Sequence, residues 1–174
     1  MKKIKTLIVL TMAFGALTFS SCKKDKPAVA IGISADIDGT ATTFNVHAIA
    51  GKGTVDGGTF TTITGSAANG NTISITLSGT VTAGKTYSVS TTPDAEPLFV
   101  YDIGGDADFL NDDNSSNKVS VTVNSVSSTS ISGTFTGGVV EADVQVGNNN
   151  TPPPTKSITN GKFNVSVTTA PQQQ

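Results

Sequence analysis

The chain has 174 residues, one domain's worth once a leader is set aside. Charged residues are 14% and aromatics 6%, with no Trp, and all eleven basic residues are lysine. Lys2, Lys3 and Lys5 fall in the leader, so eight lysines face thirteen acids in the remainder, a net charge of −5 that argues against a nucleic-acid-binding face.

The first five residues carry three lysines, the stretch 6–19 (TLIVLTMAFGALTF) is apolar and uncharged, and Ser20, Ser21 and Cys22 follow. A charged start, an apolar run and small residues form a secretory signal. The run is short for a bilayer span, which takes about 20 residues. Phe19-Ser20-Ser21-Cys22 resembles a bacterial lipobox, although its first position is Phe rather than an aliphatic residue. The expectation is a signal peptide over 1–21, a lipidated tether over 22–28 with acyl groups on Cys22, a β domain over 29–169 and a loose tail over 170–174. Each buried CH₂ contributes about 0.8 kcal/mol, so several acyl chains would hold the protein to a membrane almost permanently. Cys22 is the only cysteine, so an intrachain disulfide and a Cys-based metal site are both excluded.

After Pro27 the apolar residues recur with period two, the signature of half-buried strands. Ile31, Ile33 and Ile37 share one side, and Asp38-Gly39 marks a turn. Phe44, Val46 and Ala48 form the next row, with His47 opposite it and facing solvent. The stretch 51–58 reads as turn-rich, 60–63 as a short strand, and Asn69-Gly70 as a turn. Ile73, Ile75 and Leu77 alternate cleanly, and Tyr87 and Val89 point one way. Gly104-Gly105 reads as a two-residue hairpin turn between strands over 98–103 and 106–110. Val119, Val121 and Val123 face Ile131, Gly133 and Phe135 in an antiparallel hairpin. A further strand is expected over 139–146. Three prolines exclude the segment 148–155 (NNNTPPPT) from a sheet interior. The last strand, 158–167, puts Phe163, Val165 and Val167 on one face, and Asn160-Gly161 makes a tight turn or a bulge.

No helical period follows the leader. Many short strands with turns every ten or so residues predict an all-β, antiparallel β-sandwich, with an up-and-down β-barrel as the alternative. A membrane-spanning barrel is disfavoured, because aromatic girdles are missing.

Three stretches, SSCKKD, VSVTVNSVSSTSISGTFTG and KSITNGKFNV, resemble a family of uncharacterised Bacteroidetes-type lipoproteins with an "isGtF…iTnGkFnv" pattern. The likeness is loose over most of the chain and best over 118–167. The proline-rich loop looks like an insertion. The resemblance implies an envelope location and a β fold; it brings no established activity.

The stretch 94–113 holds seven acids and no lysine. Clustered carboxylates coordinate Ca²⁺ through oxygen, and Asp106, Asp108, Asp112 and Asp113 are the candidate ligands. An EF-hand loop starting at Asp106 fails, because Leu110 and Asn111 stand where an oxygen ligand and a glycine are needed. The competing reading is an acidic, solvated hairpin that keeps a sheet edge from pairing. His47 is the only histidine, too few for a multi-His zinc site. No G-x-S-x-G elbow accompanies it, and no phosphate loop or dinucleotide fingerprint is present. A glycosidase needs two acids roughly 5–10 Å apart across a cleft, and nothing in the sequence places such a pair. Tyr87, Tyr101, Phe99 and Phe109 would suit a sugar-stacking platform, but their alternation makes them core.

The functional expectation is a non-catalytic binding or interaction module, lipid-anchored in the cell envelope at the outer membrane, with a protein or glycan ligand and no nucleic-acid partner. A structural envelope lipoprotein within a larger assembly ranks second, and a carboxylate-based hydrolase third.

Overall fold

The computed structural model describes residues 31–55, 57–88, 96–104, 107–111, 117–142 and 152–169. Among them are eleven strands and no helix: β1 (Gly32–Ile37), β2 (Thr40–Thr43), β3 (Val46–Val55), β4 (Gly58–Ser66), β5 (Thr72–Ser78), β6 (Thr86–Ser88), β7 (Leu98–Asp102), β8 (Asp108–Asn111), β9 (Ser120–Val126), β10 (Ser130–Glu141) and β11 (Thr155–Thr169).

The strands form a single mixed eleven-stranded sheet that folds over into two layers joined along both sides. One layer has the order β2-β1-β11-β10-β9-β6 and the other β3-β4-β5-β7-β8. The long strands β10 and β11 belong to both. One edge of β11 pairs with β10 over most of its length, while its other edge meets β1 at 158–164 and then β3 at 166–169. In the same way β10 meets β9 at 131–136 and β8 at 139–141. Seven strands thereby close into a ring, so the fold is a sandwich whose sides are sealed as in a barrel. All pairs are antiparallel except β11 with β3.

The interior is what period-two patterning dictates. Ile33, Ile37, Ile73, Ile75, Leu77, Val119, Val121, Val123, Ile131, Phe135, Phe163 and Val165 are all buried. So are Tyr87, Phe99, Tyr101 and Phe109, which excludes an exposed aromatic platform from these four. Among the described residues, every buried apolar residue of this core lies between Ile33 and Val165.

Two interior contacts explain the glycines of the SGTF and TNGKF stretches. Gly133 is paired with Phe163 and Phe135 with Gly161 on the neighbouring strands β10 and β11. Each phenylalanine ring lies over the opposite glycine, filling the space a Cβ would take, and the rings stack with centroids 6.5 Å apart. Asn160 (φ 53°) and Gly161 form a bulge rather than a turn, with the register shifting on both sides. The bulge re-aims β11 so that its far half can cross to β3.

Several expectations are corrected. Ile31 is 65% exposed, because Gly32 (φ 150°) breaks the alternation ahead of β1 and Ala35 joins Ile33 and Ile37 instead. Phe44 is buried, but Val46 is exposed and Ala48 only half-buried. The chain changes sheet after Phe44, and a bulge at His47 (φ 52°) shifts the register before Ala50 enters the core. The segment 51–55 extends β3 rather than forming turns, and the short strand at 60–63 is part of the nine-residue β4. The separate strand at 139–146 is instead the end of β10, a single twelve-residue strand, and 143–146 lie outside the described residues. The β7–β8 hairpin forms, but Ile103 N donates to Ala107 O (3.4 Å), so its loop is longer than two residues. At its other end the Asn111 side chain accepts from Phe99 N (2.7 Å) and donates to Pro97 O (2.5 Å), tying the start of β7 to the end of β8.

Candidate functional site

Position 22, the acylation candidate, lies outside the described residues, as do Asp106, Asp112 and Asp113 of the calcium set. Asp108 is exposed at the start of β8, directly opposite Asp102. The Asp102 carboxylate accepts from Gly104 N at 2.6 Å, which closes the loop. Among the described residues no three His, Cys, Asp or Glu side chains gather in a metal-binding group. His47 is exposed at its bulge.

A concave feature lies elsewhere, on the outer face of the six-stranded layer. Because inward positions carry the core, the alternate positions of β1, β2, β9, β10 and β11 must face out, and they are small polar residues. One cross-strand row runs through all six strands: Thr43, Ser34, Lys162, Thr134, Thr122 and Thr86. Thr122 and Thr86 close it with a 2.9 Å hydroxyl contact. The next row holds Gly32, Asn164 and Ser132.

A groove of about 520 Å³ opens between these rows. Gly32 and Asn45 both line it, and the Asn45 side-chain amide occupies the space that a Cβ on Gly32 would take. Asn45, Asn124, Ser132, Thr134, Lys162 and Asn164 supply its polar groups, and Ile31 stands at its rim. Lys162 is the only charged residue in the lining. The carboxylate nearest along β1, Asp36, is engaged by the Asn160 amide at 2.7 Å. Below the bulge, Asp38 accepts from Ser157 N (2.8 Å) and from Lys156 Nζ (2.9 Å). The Ser157 amide first, and Lys156 second, hold its carboxyl below the ordinary carboxylate range. These contacts tie the Asp38-Gly39 turn to β11 and keep β1 in place beside the groove.

Chemically, the groove offers amides, hydroxyls and one ammonium, the groups that recognise a polar ligand by hydrogen bonding. It has no paired acids and no nucleophile–base couple in its lining. Its residues escaped sequence reading because Asn45, Asn124 and Lys162 lie far apart in the chain, and only strand order brings them together. The usable signal was that outward positions of the last strand read Lys162, Asn164 rather than Thr or Ser.

No family model matches the chain, and neither a curated protein nor a solved structure does.

Proposed function

We propose that this protein is a lipid-anchored cell-envelope lipoprotein whose β domain is a non-catalytic binding module. The observation that carries the reading is the groove on the outer sheet face, where amides and hydroxyls from separate strands converge around Lys162. A rigid sheet holds such groups in place at little entropic cost. The anchor rests on the sequence, with Cys22 as the acylated residue. Eight residues lie between Cys22 and Ile31 of the groove lining, a reach of at most about 30 Å. The groove then lies close to the membrane that the lipid occupies, which we take to be the outer membrane.

Thermal unfolding of the purified chain against a panel of glycans, peptides and metal ions tests the module. A ligand that binds only the folded state at 100 times its Kd adds about 2.7 kcal/mol. Stabilisation that disappears on Asn124→Ala supports the reading; a ligand insensitive to every groove substitution refutes it.

A second reading, a structural subunit of an envelope assembly, is favoured by the edge strand β2, which among the described residues pairs with β1 alone. Phe44 N donates inward to Ile33 O (2.8 Å), so by alternation the backbone groups of Ala41 and Thr43 point away from β1. An open edge is a template for another strand. Crosslinking in cells that recovers one stoichiometric partner through β2 would favour this reading.

A further inference from the structure

We propose that the groove is built for an acidic saccharide, a sugar of the hexuronic-acid type, with its carboxylate against the Lys162 ammonium. This rests on the binding-module reading and specifies its ligand class. Lys162 projects from the middle of β11, flanked across the sheet by Ser34 and Thr134. It is exposed, and no carboxylate pairs with it among the described residues. Among the described residues Lys162 is thus an unneutralised cation in the groove lining. Charge complementarity calls for an anion there.

The surroundings select the kind of anion. A phosphate group is best held by backbone N–H groups or a forked guanidinium. Here the floor is sheet, whose N–H groups are taken up by the ladder, and the chain has no arginine. An acidic peptide would bind most readily by pairing its backbone with an edge, not by lying on a face. What the face does present, beside Ile31 and Phe163, is hydroxyls of Ser34, Thr43 and Thr134 and amides of Asn45 and Asn124, each able both to donate and to accept. Those groups match a ligand made of hydroxyls with one carboxylate. The volume, about 520 Å³, falls within the range of roughly 300–1,000 Å³ that small-ligand pockets occupy.

The test is calorimetric titration of the purified full chain with four probes: trigalacturonic acid, a glucuronic-acid-containing disaccharide, the methyl ester of the first, and triglutamate. The expected result is binding of at least one acidic sugar, weakened about tenfold or more in the ester, since a charge-assisted hydrogen bond is lost. Lys162→Met should abolish the difference between acid and ester, and Lys162→Arg should keep most of it. Both variants should melt with the parent, because the side chain is exposed. Equal binding of acid and ester would overturn the inference while leaving a neutral-glycan module standing. Binding of triglutamate in place of the sugars would overturn it in favour of a peptide ligand. Absence of any heat from all four at millimolar concentration would also overturn it, and the wider thermal panel would then judge the module itself.

Discussion

Substituting Gly133 with Ala is the sharpest test of how this fold is held together. A Cβ at Gly133 would strike the Thr122 carbonyl oxygen and the Cζ atom of Phe163, and would lie 2.8 Å from Phe163 Cε1. Carbon contacts are comfortable at about 3.5–4.0 Å. The Thr122 carbonyl cannot withdraw, because its residue is paired with Thr134 on one side and Thr86 on the other. The Phe163 ring cannot swing away, because it stacks on Phe135 and is buried. Overpacking of this kind costs about 1–3 kcal/mol, and with both neighbours fixed the upper half, about 2–3 kcal/mol, is expected. At about 3 °C per kcal/mol the melting temperature should fall by roughly 6–9 °C. Gly53 provides the internal comparison. The nearest atoms a Cβ there would meet are the tip of the Phe60 ring, the far end of a half-buried side chain, so Gly53→Ala should cost under about 1 kcal/mol. Gly51, with nothing within 4 Å, should be neutral to within about 0.5 kcal/mol. The assay is calorimetric or circular-dichroism melting of the chain from residue 22 onward, with Cys22→Ser to prevent oxidation. A Gly133→Ala variant that melts with the parent, or a Gly53→Ala variant that melts as low as Gly133→Ala, would refute the reciprocal glycine–phenylalanine packing.

Phe163→Ala should cost about 3–5 kcal/mol by leaving a cavity over Gly133, measured by urea denaturation. Asn111→Ala should lose about 1–2 kcal/mol, because two backbone groups, Phe99 N and Pro97 O, lose their partner; protection of the Phe99 amide from hydrogen exchange should fall with it. Asp38 has a depressed carboxyl pKa, so its stabilisation is present above the unfolded value near 4 and is lost as pH falls through the lower folded value. Asp38→Asn should therefore flatten the acid limb of the stability–pH curve, by under about 1 kcal/mol since the pair is exposed, and Lys156→Ala should do less because the Ser157 amide contact survives. Fatty-acid labelling in a bacterial host should mark the wild-type chain and not Cys22→Ser; equal labelling of both would remove the anchor from the proposal.

Local patterning alone was enough for most of the strands. The alternation through Ile73, Ile75 and Leu77, through Val119, Val121 and Val123, and through Phe163 and Val165 marks inward faces, because a strand turns every second side chain the same way. The Asp38-Gly39 turn and the β9–β10 hairpin are equally local, and both are where the sequence put them. Failures came where a backbone conformation depends on distant neighbours. Nothing near Val46 announces the bulge at His47, where the register of β3 against β4 shifts as the chain passes from β2 into β3. Nor does the segment 139–146 announce that its first residues prolong β10; that follows from β8 and β11 flanking them. The choice between sandwich and barrel was beyond any local pattern, since it turns on β10 and β11 each exchanging partners along one edge. The same holds for the groove. Composition determined that outward positions would be hydroxyls and amides; only the tertiary pairing of β1, β9, β10 and β11 decided that Asn45, Asn124 and Lys162 should surround one depression, because register is a long-range property that no short stretch of chain encodes.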